Sequence, residues 1–185
     1  MELGFKIAAM QRIFACVAML LSASCVISID NVNHYVDDKV AVTGSSAVVR
    51  HTVLSDGHPM ALWEKSNGNT EGIILFIHGR TWSALPDFDL QVEGEDLSLM
   101  DGMLEKGYAT YALDLRGYGQ TPRDESQWLS PDKAANDVIN VLNWISQRHS
   151  GEPVHVFGWS YGAVISLLSA QKNAADMASL TLFGF

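Results

Sequence analysis

Cysteine is nearly absent from this sequence, and the two present, Cys16 and Cys25, both fall at its start. The body of the chain therefore has no internal disulfide, even if its compartment would permit one. Basic charge is scarce too: 12 Lys and Arg stand against 21 Asp and Glu, a formal net charge of -9. Phosphate backbones demand a clustered Lys/Arg surface, and none is visible, so no nucleic-acid partner is expected. No His/Asp/Glu cluster has ligand spacing, so no metal and no cofactor is expected. Repeats and low-complexity stretches are missing. Histidine is missing in one place: His34, His51, His58, His78, His149 and His155 all precede residue 160, and none follows it.

What is present begins with a targeting segment. Lys6 and Arg12 give a basic start, and residues 13–21 form an apolar run of signal-peptide length, followed by the small residues Ser22, Ala23 and Ser24. The run over 13–29 falls short of the roughly 20 apolar residues of a spanning helix. Residues 1–29 are thus expected to be a signal peptide, cleaved on export to the periplasm or medium, with a retained anchor as the other reading. Cys25 follows Leu-Ser-Ala-Ser, loosely like a lipoprotein cleavage site, so it is either lipid-bearing or unmodified. Membrane contact is expected only through this segment. Residues 30–46 read as a linker and 47–185 as one α/β domain.

Within that domain strands and helices alternate. Residues 47–54 and 60–65 read as a hairpin around Ser55-Asp56-Gly57. Residues 73–77 form a continuous aliphatic-aromatic run, the mark of a strand buried on both faces. A loop containing Pro86 follows. Leu97, Met100 and Leu104 then fall at helical spacing, with Gly107 at the C-cap. Residues 108–113 are the next strand. Ser130-Pro131 cap a helix whose apolar face is Ala134, Val138, Val141, Leu142 and Ile145. Residues 154–157 read as a fourth buried strand, 161–170 as a helix, and 180–182 begin another strand. The alternation implies a mostly parallel sheet with helices on both faces and an antiparallel hairpin at one edge.

Three segments carry chemistry. Gly158-Trp159-Ser160-Tyr161-Gly162 sits between a strand and a helix, the context of a nucleophile elbow. A sharp turn there lifts the serine hydroxyl clear of the sheet, and bare glycines let strand and helix pass closely. The letters alone would arise by chance in roughly one chain in fifteen of this length, so the strand-turn-helix context decides. His78-Gly79-Arg80-Thr81-Trp82 follows the strand over 73–77, where a loop can offer a backbone N–H to a developing oxyanion. His78 itself reads as shaping that loop, not as a base. Asp114-Leu115-Arg116-Gly117-Tyr118-Gly119 reads as a structural glycine-rich turn with a salt bridge. It is not a phosphate loop, since no Lys-Ser/Thr follows the glycines.

In this order and at these separations, His78-Gly79, Asp114-x-Arg116-Gly117-x-Gly119 and Gly158-x-Ser160-x-Gly162 resemble the α/β-hydrolase superfamily, and within it the serine-nucleophile lipase, esterase and aminopeptidase-like members. The resemblance implies the α/β-hydrolase fold, Ser160 as nucleophile, and the Arg80 and Tyr161 N–H groups as oxyanion donors. Epoxide hydrolases and dehalogenases of the superfamily carry Asp at the elbow, against which Ser160 speaks. The implied substrate is a small carboxylic ester, or secondarily an amide. Trp82, Trp159 and Tyr161 around the expected cleft read as room for an apolar acyl or aromatic group, or as simple packing. Arg80 reads as meeting an anionic substrate, or as a solvent-facing loop charge whose backbone alone matters.

The family order is Ser, then acid, then His. After Ser160 the only acid is Asp176, too early to match, and no histidine follows. The expectation is therefore of an incomplete domain, with its acid and histidine beyond Phe185, inactive as it stands. A catalytically dead binding module or pseudogene product is the alternative.

Overall fold

The computed structural model describes residues 47–68 and 70–185. The targeting segment over 1–29, the linker over 30–46 and both cysteines lie outside the described residues.

Among the described residues six strands make one sheet: β1 (Val49–Ser55), β2 (His58–Lys65), β3 (Gly72–Ile77), β4 (Tyr108–Leu113), β5 (Val154–Trp159) and β6 (Met177–Phe183). Four helices accompany them: α1 (Ala84–Phe88), α2 (Leu99–Leu104), α3 (Pro131–Arg148) and α4 (Tyr161–Lys172). The sheet order is β1-β2-β4-β3-β5-β6. β2 pairs antiparallel with both β1 and β4, while β4, β3, β5 and β6 run parallel. This is the mostly parallel α/β sheet with an antiparallel hairpin at its edge that the alternating pattern implies. Among the described residues no helix is long and apolar enough to cross a membrane.

The chain steps from β3 to β4 on one side and then crosses back to β5 on the other. The strand order therefore reverses at β3, and open α/β sheets bind ligands beyond the C-terminal strand ends at such a switch point. The segments after β3 and β5 are those that hold Gly79 and Ser160.

Period-two alternation splits β3 between two layers. Ile73, Leu75 and Ile77 enter the main core with Val138, Val141, Leu142 and Ile145 of α3. Phe76 points to the opposite layer and stacks on Phe88 of α1 at 5.0 Å. Because both faces are covered, all six residues of β3 are buried, as its continuous apolar run requires. Helix α3 starts as its cap residues dictate: the Ser130 hydroxyl accepts the Lys133 N–H at 3.2 Å, with Pro131 at the first helical position.

Two expectations are corrected. The Pro86 segment is not all loop, since α1 runs through it. Proline is tolerated there because first-turn N–H groups have no intrahelical acceptor. Nor is β5 buried on both faces: Val154, Val156 and Gly158 are buried, whereas His155, Phe157 and Trp159 are half-buried. Helices α1 and α2 cover β4 and β3 in that layer but leave β5 and β6 partly bare. His155 accordingly meets not a core but the Ser179 hydroxyl of β6, at 2.7 Å.

Candidate active site

Ser160 joins the end of β5 to the start of α4, with φ 53° and ψ -116°. A non-glycine residue at positive φ is strained and persists only where its surroundings over-determine it. Here they do. The Ser160 N–H donates to the Phe183 carbonyl at 2.8 Å, and the Ser160 carbonyl accepts the Ala163 N–H at 3.0 Å. Strand β6 and helix α4 thus hold the backbone on both sides of the serine.

The flanking glycines answer to space. A Cβ on Gly158 would lie 2.6 Å from the Gly162 carbonyl oxygen and 2.7 Å from Ala163 Cα. One on Gly162 would lie 2.6 Å from the His78 carbonyl oxygen and overlap that of Ile77. No side chain fits at either position, so α4 packs directly against the ends of β5 and β3.

The loop after β3 closes on the serine from the other side. A Cβ at Gly79 would stand 3.3 Å from Ser160 Cβ and 3.8 Å from its Oγ. His78 fixes this loop from within the core. The Leu115 N–H donates to Nε2 at 3.1 Å, so Nδ1 carries the proton and donates to the Gly79 carbonyl at 2.7 Å. Burial holds the His78 pKa below its usual value, against the Gly79 carbonyl and the Asp114 charge, which favour protonation. With both nitrogens committed, His78 ties β3 to β4 and has no lone pair for Ser160. Asp87 of α1 grips the same loop, accepting the Gly79 N–H at 3.3 Å, and burial pushes its carboxyl up to about 6.

Arg80 and Tyr161, the residues after Gly79 and Ser160, come together: the Arg80 guanidinium lies 4.6 Å above the Tyr161 ring centre. That ring packs partly buried on the core. The Tyr161 phenol oxygen is buried with no hydrogen-bond partner among the described residues. The Tyr161 N–H, first in α4, has no intrahelical acceptor, and it lies at the positive end of the helix dipole. Trp82 is 59% exposed. Trp159 lies in the half-bare layer with Phe157, against Gly184.

The glycine-rich turn holds the scaffold. The Asp114 carboxylate accepts the Trp63 indole N–H at 2.9 Å, the Ala84 N–H at 2.8 Å and the Gln120 N–H at 2.9 Å. It thereby joins β4 to β2, to the start of α1 and to its own turn. Gly119, at φ 52°, passes so close that a Cβ would overlap this carboxylate. The Gly117 N–H donates to the Thr121 carbonyl at 3.1 Å.

Arg116 pairs elsewhere: its Nε and Nη2 each donate to the buried Asp137 carboxylate at 2.7 Å, and Ser55 donates to the same carboxylate at 2.5 Å. The sequence held a signal for this clamp, because Asp137 sits on the apolar stripe of α3 between Ala134 and Val138. No such signal marked Asp87, nor the buried Lys65, whose ammonium meets Asp89 at 2.6 Å and Asp101 at 2.7 Å.

Among the described residues no group of three or more His, Cys, Asp or Glu is placed to hold a metal ion. No histidine among them hydrogen-bonds Ser160. His51 meets Glu64, His58 the Pro122 carbonyl and His149 the Tyr111 hydroxyl. A shallow 660 Å³ concavity lined by Asp56, His58, Arg123 and Glu125 lies by the β1–β2 turn, and none of its lining residues belongs to the Ser160 site.

The family model described as Serine aminopeptidase, S33, matches residues 68–184. Lysophosphatidylserine lipase ABHD12 of Gallus gallus is 26% identical over 145 residues, 72% of this chain and 33% of that protein. The Mus musculus form is 25% identical over 143 residues, 72% of this chain and 32% of its own. The chain thus spans about a third of the length of these curated relatives.

Among solved structures, potato (Solanum tuberosum) epoxide hydrolase I superposes with a TM-score of 0.61 at 27% identity, covering 74% of this chain and 39% of that one. An esterase from Exiguobacterium antarcticum gives 0.54 at 20% identity, over 72% and 43%, a likeness of fold alone. Since the family model takes in well over half of the sequence, this chain belongs to the serine aminopeptidase S33 family of α/β-hydrolases.

Proposed function

We propose that Ser160 is the nucleophile of a hydrolase acting on a carboxylic ester, and secondarily on an amide, through an acyl-enzyme. The observation that carries this reading is the positive-φ serine at the β5–α4 junction, with Gly79 against it. Attack by Ser160 Oγ on an acyl carbon turns the carbonyl oxygen into an oxyanion. The Arg80 and Tyr161 N–H groups, one from the loop after β3 and one from the start of α4, are its donors. The intermediate collapses by breaking the bond to the ester's alkoxy oxygen, which leaves as the alcohol with the proton that Ser160 gave up. Water then attacks the acyl-serine, freeing the acid and returning a proton to Ser160 Oγ.

The likeness to epoxide hydrolases does not extend to their reaction. Serine opening an epoxide would be left as an ether, with no carbonyl for water to attack, whereas an aspartate leaves a hydrolysable ester.

His78 has both nitrogens occupied, and no described histidine touches Ser160. With no histidine drawing off its proton, the hydroxyl is expected to react slowly in this chain. Incubating the chain with a fluorophosphonate and mapping the adduct by mass tests both claims. The expected result is a slow adduct on Ser160, absent from Ser160→Ala. No adduct even after prolonged incubation, or one that persists in Ser160→Ala, overturns the nucleophile. Complete labelling within minutes overturns the missing base and would require one of the chain's own groups to activate the serine.

We also propose that residues 1–29 direct export. Fractionation with palmitate labelling checks this: protein confined to the cytoplasm refutes export, and no label excludes a lipid on Cys25.

A further inference from the structure

We propose that Arg80 and Tyr161 form an anion subsite beside Ser160, so that the favoured ester carries an oxyanion group, carboxylate or phosphate, close to its scissile carbonyl. This deepens the ester-hydrolase reading and rests on it for the place of the scissile bond. The binding of the anion can be measured without it.

The argument begins with covalent neighbours. Arg80 follows Gly79, which lies against Ser160, and Tyr161 follows Ser160 itself. Folding brings the two side chains together across the serine, with the guanidinium 4.6 Å above the ring centre. The ring is a fixed floor, since it packs on the core at the first position of α4. A guanidinium drawn over an aromatic ring by its charge still has N–H groups to offer, and these match a carboxylate or phosphate in two-pronged geometry.

Arg80 is exposed and forms no ion pair with a carboxylate among the described residues. Asp87 of α1, the acid that meets this loop, is turned to the Gly79 N–H instead. The buried and half-buried cations of the described residues are committed: Lys65 to Asp89 and Asp101, Arg116 to Asp137, and Lys133 to Asp124. In a chain of net charge -9 a cation left open beside the nucleophile is the feature that selects charge. Anionic substrates are repelled by the molecule at large and attracted at this point, so the contact discriminates as well as binds.

The test uses the full chain carrying Ser160→Ala, so that no turnover is needed and failure of the nucleophile reading leaves the result interpretable. Monomethyl glutarate, monobutyl phosphate and neutral dimethyl glutarate are titrated, following the Arg80 side-chain N–H signal and backbone amides by NMR. The expected result is that at least one anion binds roughly three- to tenfold tighter than the neutral diester, with the Arg80 signal shifting and the preference fading as salt rises. Arg80→Gln abolishes the preference, and Arg80→Lys restores it in part, since the point charge survives but the stacked fork does not. Which anion binds more tightly identifies the carboxylate or the phosphate. Equal binding of all three probes, or an anion preference unchanged in a well-dispersed Arg80→Gln spectrum, overturns the proposal.

Discussion

Replacing Asp87 by asparagine should stabilise the fold at neutral pH, although it removes a charge that accepts a hydrogen bond. Burial raises the Asp87 carboxyl from 3.8 to about 6, while the Gly79 N–H pulls the other way. A difference of roughly two pKa units corresponds to about 3 kcal/mol. Asp87 keeps some contact with water, which screens it, so the realised cost of ionising it in the folded chain is about 1–2 kcal/mol.

The sign follows from proton linkage. The folded state binds the proton more tightly than the unfolded chain, so this group's contribution falls as pH rises from about 4 to about 6, then stays level. Asparagine is neutral throughout and still offers a carbonyl oxygen to Gly79. Urea unfolding of both proteins, followed by tryptophan fluorescence at pH 7.5 and pH 4, measures the difference. The variant should be more stable by about 1–2 kcal/mol at pH 7.5 and nearly equal at pH 4. Acids whose pKa values are lowered, such as Asp101 with Lys65, act equally in both proteins and cancel. A variant less stable at pH 7.5, or a difference independent of pH, would refute the reasoning and make the charged Asp87–Gly79 bond a net stabiliser.

Other substitutions probe the scaffold. Arg116→Ala strands the buried Asp137 carboxylate and should cost about 3–5 kcal/mol, read as a shift in urea midpoint at constant slope; a loss below 1 kcal/mol would show that water reaches the clamp. Gly162→Ala forces a methyl group into the Ile77 and His78 carbonyls and should cost at least about 1–3 kcal/mol, with fluorophosphonate labelling of Ser160 falling in the fraction that stays folded; an unaltered midpoint would refute the close packing of α4 on β3. Phe76→Ala opens a cavity between Phe88 and Phe157 and should cost about 3–5 kcal/mol by the same assay, with a smaller loss meaning that α1 collapses onto the sheet.

Much of the architecture was legible in order along the chain. Alternating apolar runs and capped amphipathic helices placed β1 to β6 and the long helix α3, because burial of one face or two leaves a period in the sequence. Local chemistry marked the ends of α3, since Ser130 and Pro131 satisfy or avoid the free N–H groups of a first turn. The glycines at 79, 158 and 162 announced close approach. The half-bare layer of β5 was not legible, because Phe157 and Trp159 look like core residues whether or not a helix covers them. Helix α1 was hidden by Pro86, a residue that breaks helices everywhere except in their first turn.

By itself the sequence determined the order of elements, the strand-turn-helix setting of Ser160 and the family, all of which depend on residues near one another in the chain. Only the tertiary structure decided which distant groups meet. It gave His78 its two backbone partners, paired Arg116 with Asp137, set Asp87 against the loop after β3 and laid Arg80 over Tyr161. Those contacts cross from one strand end to another, and no periodicity records them, because side-chain pairing depends on sheet order and crossover direction rather than on spacing along the chain.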